Sequence, residues 1–123
     1  MSREIKFKAW DKEERVIRTV LGFSLYHGAV SVDIGNGRYL QDDSSRFDLM
    51  QYTGLKDING TAIYDGYVVR CDSRFGRRSL EVFQARTGEW RAEHDRGGQV
   101  LAFCCEECEV IGNIYENPEL LKE

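Results

Sequence analysis

Alternation of apolar and polar residues with a period of two runs through most of the chain. Ile5, Phe7 and Ala9 alternate with Lys6, Lys8 and Trp10, the pattern of a strand with one buried face. Val30, Val32 and Ile34 repeat it and lead into Gly35-Asn36-Gly37, residues that tolerate the positive φ of a tight hairpin. Between them, Val16 to Tyr26 is apolar but fits neither a strand nor a helix period cleanly, and is read as a strand. Gln41 to Arg46 is polar and reads as a connecting loop.

From Asp48 onward the turn signals become dense. Asn59-Gly60 and Asp65-Gly66 are tight turns, the second opening a strand over Tyr67 to Cys71. Ser73 to Arg78 reads as a polar, arginine-rich loop. Ser79 to Arg86 alternates, Thr87-Gly88 turns the chain, and Glu89 to His94 returns it around Trp90 and Ala92. Gly97-Gly98 is the next turn, followed by strands at Val100 to Cys104 and at Val110-Ile111. Short strands with a turn every ~8–12 residues predict an all-β fold, a small barrel or sandwich. Only Asn117 to Leu121 looks helical: Asn117 can cap, and Pro118 is preorganised for the first helical position.

With 123 residues, the chain fits one domain, or one domain with an appended lobe. Its 41% hydrophobic and 11% aromatic content is that of a globular protein, which excludes a disordered or fibrous class. No apolar run approaches the ~20 residues of a membrane span, and the N-terminus lacks the apolar stretch of a signal peptide. The expected compartment is therefore cytoplasmic, where four cysteines would stay reduced and disulfides are not expected. A net charge of −4 exerts no global pull on nucleic acid. The distribution is uneven, however: seven arginines face five acids between Arg70 and Arg96, while six glutamates and one lysine follow from Glu106.

Three segments carry a resemblance. The opening Arg3-Glu4-Ile5-Lys6-Phe7-Lys8-Ala9-Trp10-Asp11, the central run from Leu49 through Gln51-Tyr52-Thr53-Gly54-Leu55-Lys56-Asp57-Ile58-Asn59-Gly60 to Tyr64-Asp65-Gly66, and the closing Glu109-Val110-Ile111-Gly112-Asn113-Ile114-Tyr115-Glu116-Asn117-Pro118 resemble the YopX family of phage and prophage proteins. The family usually has an acidic residue after the last central glycine; here Tyr67 stands there. The resemblance implies an all-β fold, an N-terminal β lobe over residues 1–47 and an SH3-like barrel over residues 48–123. It also implies a phage or prophage origin in a bacterial host. It carries over no catalytic residues.

The central and closing motifs read as shape-making. Gly54, Gly60 and Gly66 recur at six-residue spacing as positions where a side chain would be excluded. Leu55, Ile58 and Ile63 can fill a core while Lys56, Asp57 and Asn59 face water. Tyr52, Tyr64 and Tyr115 suit the rim of a small core, having an apolar ring and a polar tip. With Gly112, Asn113 and Pro118 these form a structural signature; the alternative is that exposed tyrosines make a ligand or peptide surface.

Chemistry is sparse. Cys105-x-x-Cys108 has the spacing of half a zinc site, but completion would need Cys71, Cys104, His27 or His94 singly, so no metal or other cofactor is expected. Packed, inert cysteines are the simpler reading. Arg70, Arg74, Arg77 and Arg78 with Phe75 suit phosphate contact and base stacking, against the plainer reading of a solvated loop pairing with Asp72 or Glu81. Neither histidine lies in a nucleophile motif, and no glycine-rich phosphate loop is present, so no enzymatic activity is expected. The expectation is a non-enzymatic module that binds a host or phage protein, with nucleic acid as the alternative partner and self-association through open strand edges as a further option.

Overall fold

The computed structural model describes residues 4–73, 76–94 and 97–122. The fold is all-β, built from antiparallel strands with short 3-10 turns. Among the described residues no helix is long and apolar enough to cross a membrane. The chain divides into two compact units, Ile5–Gln51 and Tyr52–Glu123, the latter grouped with Met1–Glu4.

In the first unit, strands β1 (Phe7–Asp11), β2 (Val16–Ser24), β3 (Ala29–Gly35), β4 (Arg38–Asp43) and the start of β5 (Phe47–Lys56) lie in the order β4-β3-β2-β1-β5. Register places Ala9, Val20, Val32, Val30, Leu40 and Phe47 on one face, and these pack into a core. Burying Val30, Val32 and Phe47 contributes roughly 1.5–3 kcal/mol each. The irregular period of Val16 to Tyr26 has a cause. Val20 pairs with Val32 but Gly22 pairs with Ser31, so Leu21 is an extra residue in the ladder. That bulge resets the alternation and puts Val20 and Phe23 on the same face three positions apart. Phe23 then meets Phe7 edge-on, with ring centroids 5.2 Å apart.

Two expectations in this unit need correction. Ile5 precedes β1 and is exposed, whereas Trp10 is buried, because β1 is covered on both faces. Gln41 to Asp43 belongs to β4; only Ser44–Arg46 forms the connection, as a 3-10 turn whose Ser45 N–H donates to Asp43 Oδ1 at 2.8 Å. Asp11 is fully buried at the end of β1, a charged residue where alternation alone offers no reason for one.

Strand β5 continues beyond Gln51 into the second unit, where it pairs with β6 (Ala62–Tyr64). The remaining strands, β7 (Tyr67–Ser73), β8 (Gly76–Gln84), β9 (Trp90–His94), β10 (Gly97–Val100) and β11 (Cys108–Asn113), form a sheet in the order β10-β9-β8-β7-β11. Ile63, Val68, Val69, Leu80, Val82, Ala92 and Leu101 are buried in this unit. Arg77 and Arg78 lie in β8, not in a loop, because Asp72 and Cys71 offer them ladder partners. Gly97 and Gly98 open β10 opposite His94 and Glu93. A Cβ on Gly98 would stand 2.6 Å from Glu93 Cα, so the residue serves close backbone approach and not a turn. The strand expected from Val100 to Cys104 ends at Val100, where a 3-10 turn over Leu101–Phe103 takes over.

Candidate functional site

The central and closing motifs meet in the second unit. Asp57 caps the β5–β6 turn: its Oδ1 accepts the N–H groups of Asn59 and Thr61 at 2.9 and 2.8 Å, and its Oδ2 accepts that of Val110 in β11 at 2.9 Å. The adjoining Ile58 N–H donates to the Cys108 carbonyl at 2.9 Å. Asp57 is thus buried and Ile58 exposed, the reverse of the expected arrangement, since the carboxylate satisfies three backbone donors that would otherwise be stranded. Ile63 is buried as expected.

Glycine has two roles here. Gly54, in β5, and Gly60, in the turn, have open space around the missing Cβ but positive φ (+85° and +81°), so backbone conformation and not crowding selects them. Gly66 has both constraints: φ is +85°, and a Cβ would lie 3.4 Å from the Tyr115 ring. In β11, a Cβ on Gly112 would be 2.9 Å from Leu120 Cδ1 and would intrude on the Asn117 amide. Asn113 Oδ1 accepts the N–H groups of Tyr115 and Glu116 at 3.0 and 2.8 Å, holding the turn into the 3-10 segment Pro118–Leu121. Asn117 stands at the N-cap position of that segment, but its side chain makes no capping bond; its Oδ1 instead accepts from the Asn113 N–H at 3.3 Å. Tyr52, Tyr64 and Tyr67 form a buried row with centroid separations of 5.5 and 5.4 Å, and Tyr115 is half-buried.

The arginine candidates do not share one face. Arg77 stands opposite Asp72 and pairs with it at 2.9 Å, while Arg78 stands opposite Cys71 on the other side of the sheet. Arg70, half-buried, lies between Ser79 and Glu109 in the ladder. Arg74 and Phe75 lie outside the described residues. Arg77, Arg78, Ser79, His94 and Leu120 line an open cleft, with the His94 Nε2 against the Leu121 carbonyl. Close by in sequence, burial pushes the Asp65 carboxyl up, and burial together with the Asp65 charge does the same to Glu81.

Three of the four cysteines come together. Cys71 and Cys108 sit directly opposite in β7 and β11, with Cα atoms 4.3 Å apart, and are joined as a disulfide. This corrects the expectation of four free thiols: ladder register, invisible across 37 residues of sequence, brings the sulfurs together. The Cys104 sulfur lies within 4.8 Å of both. Cys105, to which the C-x-x-C spacing pointed, contributes no sulfur to the group, because the 3-10 turns over Leu101–Phe103 and Cys105–Glu107 present Cys104 to it. Burial pushes the Cys104 thiol up to about 11, with the Cys105 and Glu107 charges adding to it; Cys105 is raised by burial and by Glu106.

One surface escaped the sequence reading. In the first unit, Leu25 and Tyr26 in the β2–β3 turn are 97% and 93% exposed, and the bulge residue Leu21 is 59% exposed. The signal was the apolar Leu25-Tyr26 pair two positions before Gly28, which has the positive φ (+63°) of a turn. Residues 19–37 contain neither lysine nor arginine.

Among solved structures, the chain is similar to the protein EF1440 from Enterococcus faecalis, at 29% sequence identity and a TM-score of 0.65 over 98% of this chain and 99% of that one. No curated protein matches it. The model of the family described as YopX protein matches residues 6–122, which takes in the central and closing segments that carried the resemblance and the opening one from Lys6 onward. The chain belongs to the YopX family.

Proposed function

We propose that this YopX-family protein is a non-enzymatic binding module that engages a protein partner through the end of its β2–β3 hairpin. The observation that carries this reading is the pair Leu25 and Tyr26, both almost wholly exposed at the tip. Large apolar side chains held in water at one place mark interaction surfaces, and tyrosine is enriched among residues that anchor interfaces. The absence of lysine and arginine from residues 19–37 favours an apolar protein surface over a phosphate backbone. The chain acts, on this reading, as an accessory protein of a phage or prophage in the bacterial cytoplasm, its partner a host or phage protein. The five-stranded antiparallel sheet of the second unit supports an SH3-like scaffold behind that role.

Nucleic acid as the partner has weaker support, since Arg77 is engaged by Asp72 and Arg70 is half-buried in the ladder. A pull-down from host lysate with wild-type protein and with the double variant Leu25→Ser/Tyr26→Ser tests the reading. The expected result is a defined protein recovered by the wild type and lost with the variant. Equal recovery by both, or salt-sensitive binding to DNA or RNA in place of a protein, would overturn it.

A further inference from the structure

Three cysteine sulfurs from separate points in the second unit converge in one buried spot. Strand register sets Cys71 against Cys108, and the two successive 3-10 turns fold Cys104 onto the pair. The three Sγ atoms lie within 4.8 Å of one another, and the residues are 4%, 0% and 2% exposed respectively. We propose that, once the Cys71–Cys108 disulfide is reduced, these three sulfurs form a binding site for a thiophilic d10 cation of the Zn2+ or Cu+ type.

The geometry is close to what such a site requires. Thiolates bound at Zn–S ≈ 2.3 Å stand about 3.8 Å apart, a spacing that sulfurs already within 4.8 Å reach by side-chain rotation. An all-sulfur donor set selects soft ions over Mg2+ or Ca2+. The strands hold two of the ligands on a rigid ladder, so little chain entropy remains to be lost on binding. Three thiolates leave the fourth tetrahedral position of Zn2+ to water or a small thiol, whereas Cu+ is satisfied by three.

Disulfide and metal exclude each other, because the S–S bond consumes two of the three ligands. A dithiol reductant breaks it: the reductant's two sulfurs become a disulfide, and its two electrons and two protons convert Cys71 and Cys108 to thiols. Uptake of the cation then displaces three thiol protons to solvent, one from each cysteine. The site is therefore occupied only under reducing conditions. This inference is independent of the hairpin reading above, since the cysteines lie in the other unit.

The test is anaerobic titration of the full chain with Zn2+ against a chromophoric chelator, before and after reduction, with Cd2+ uptake followed by sulfur-to-metal charge-transfer absorption. Reduced protein is expected to take up about one equivalent and oxidised protein none. Cys104→Ser should weaken binding by at least about tenfold, while Cys105→Ser, outside the group, should leave it unchanged. Reduced protein that keeps its circular dichroism spectrum yet binds less than roughly a tenth of an equivalent would overturn the proposal, as would equal effects of the two serine variants. The Cd2+ absorption of the wild type gives an answer even if Cys104→Ser does not fold.

Discussion

Asp57 Oδ2 accepts the backbone N–H of Val110 at 2.9 Å, so the central motif of the chain holds the closing motif directly, across 53 residues. The same carboxylate caps its own turn through Asn59 and Thr61. Asp57→Ala would leave three backbone donors without their acceptor and should lower unfolding free energy by about 3 kcal/mol, read from urea denaturation. Asp57→Asn should recover only part of this, because an amide nitrogen facing the Val110 N–H sets donor against donor. A loss below about 0.5 kcal/mol for the alanine variant would show that the clamp is dispensable.

In the first unit, Asp11 plays the corresponding role with charge. Its Oδ1 accepts from the N–H groups of Glu13 and Glu14 and from Arg46 Nε, and its Oδ2 from Arg18 Nε and Arg46 Nη2, all at 2.9 to 3.1 Å. Burial pushes this carboxyl up, but the hydrogen bonds from Arg46, Arg18 and the two backbone groups outweigh it and hold it well below the usual carboxylate range. A folded value below the unfolded one means the stabilisation is fully present above about pH 4 and is lost as pH falls toward the folded value. Asp11→Asn should therefore cost about 3 kcal/mol near neutrality, with the gap to wild type narrowing between pH 4 and pH 2. Paired urea titrations at pH 6 and pH 3 check it; a constant gap would refute the ionic account.

Glu81 predicts the opposite slope. Burial, and then the charge of Asp65, raise its folded value above the unfolded one, and Glu93 stands beside it in the ladder. Its contribution is most favourable at low pH and is lost as pH rises through the folded value. Glu81→Gln should accordingly raise the urea midpoint at pH 8 relative to wild type and show less benefit at pH 4. A destabilised variant at pH 8 would mean that the carboxylate has a favourable partner.

Gly112 is a question of space. Gly112→Ala pushes a methyl group against Asn117 and Leu120 and should destabilise the protein by about 2 kcal/mol. Heteronuclear NMR of the variant should show the largest shifts in the Pro118–Leu121 segment, the part able to move away. Shifts confined to β7 would place the strain elsewhere.

The double variant Leu25→Ser/Tyr26→Ser should change stability by no more than about 0.5 kcal/mol, because both side chains are almost wholly exposed in the folded state and, among the described residues, Tyr26 meets only the neighbouring His27 ring. Thermal melts of the two proteins decide whether its effect on partner capture can be read as a surface effect.

Strand content, the turns at Gly35-Asn36-Gly37, Asn59-Gly60, Asp65-Gly66 and Thr87-Gly88, the terminal 3-10 turn and membership of the YopX family were all legible in the residues, because hydrophobic period, turn chemistry and motif order are local properties. Local pattern was silent or misleading wherever a partner lay far along the chain. Arg77 and Arg78 read as loop until β7 supplied their ladder, and Val16 to Tyr26 read as irregular until the register with β3 revealed the bulge at Leu21. Asp57 read as a surface acid and nothing in the pattern singled out Asp11, yet both are buried, because backbone donors converge on Asp57 and backbone donors with two arginines converge on Asp11. The cysteines show the division most clearly. Sequence spacing singled out Cys105 and Cys108, whereas antiparallel register and two 3-10 turns join Cys71 to Cys108 and bring Cys104 beside them. Spacing along a chain measures contour length, and only folding turns it into distance.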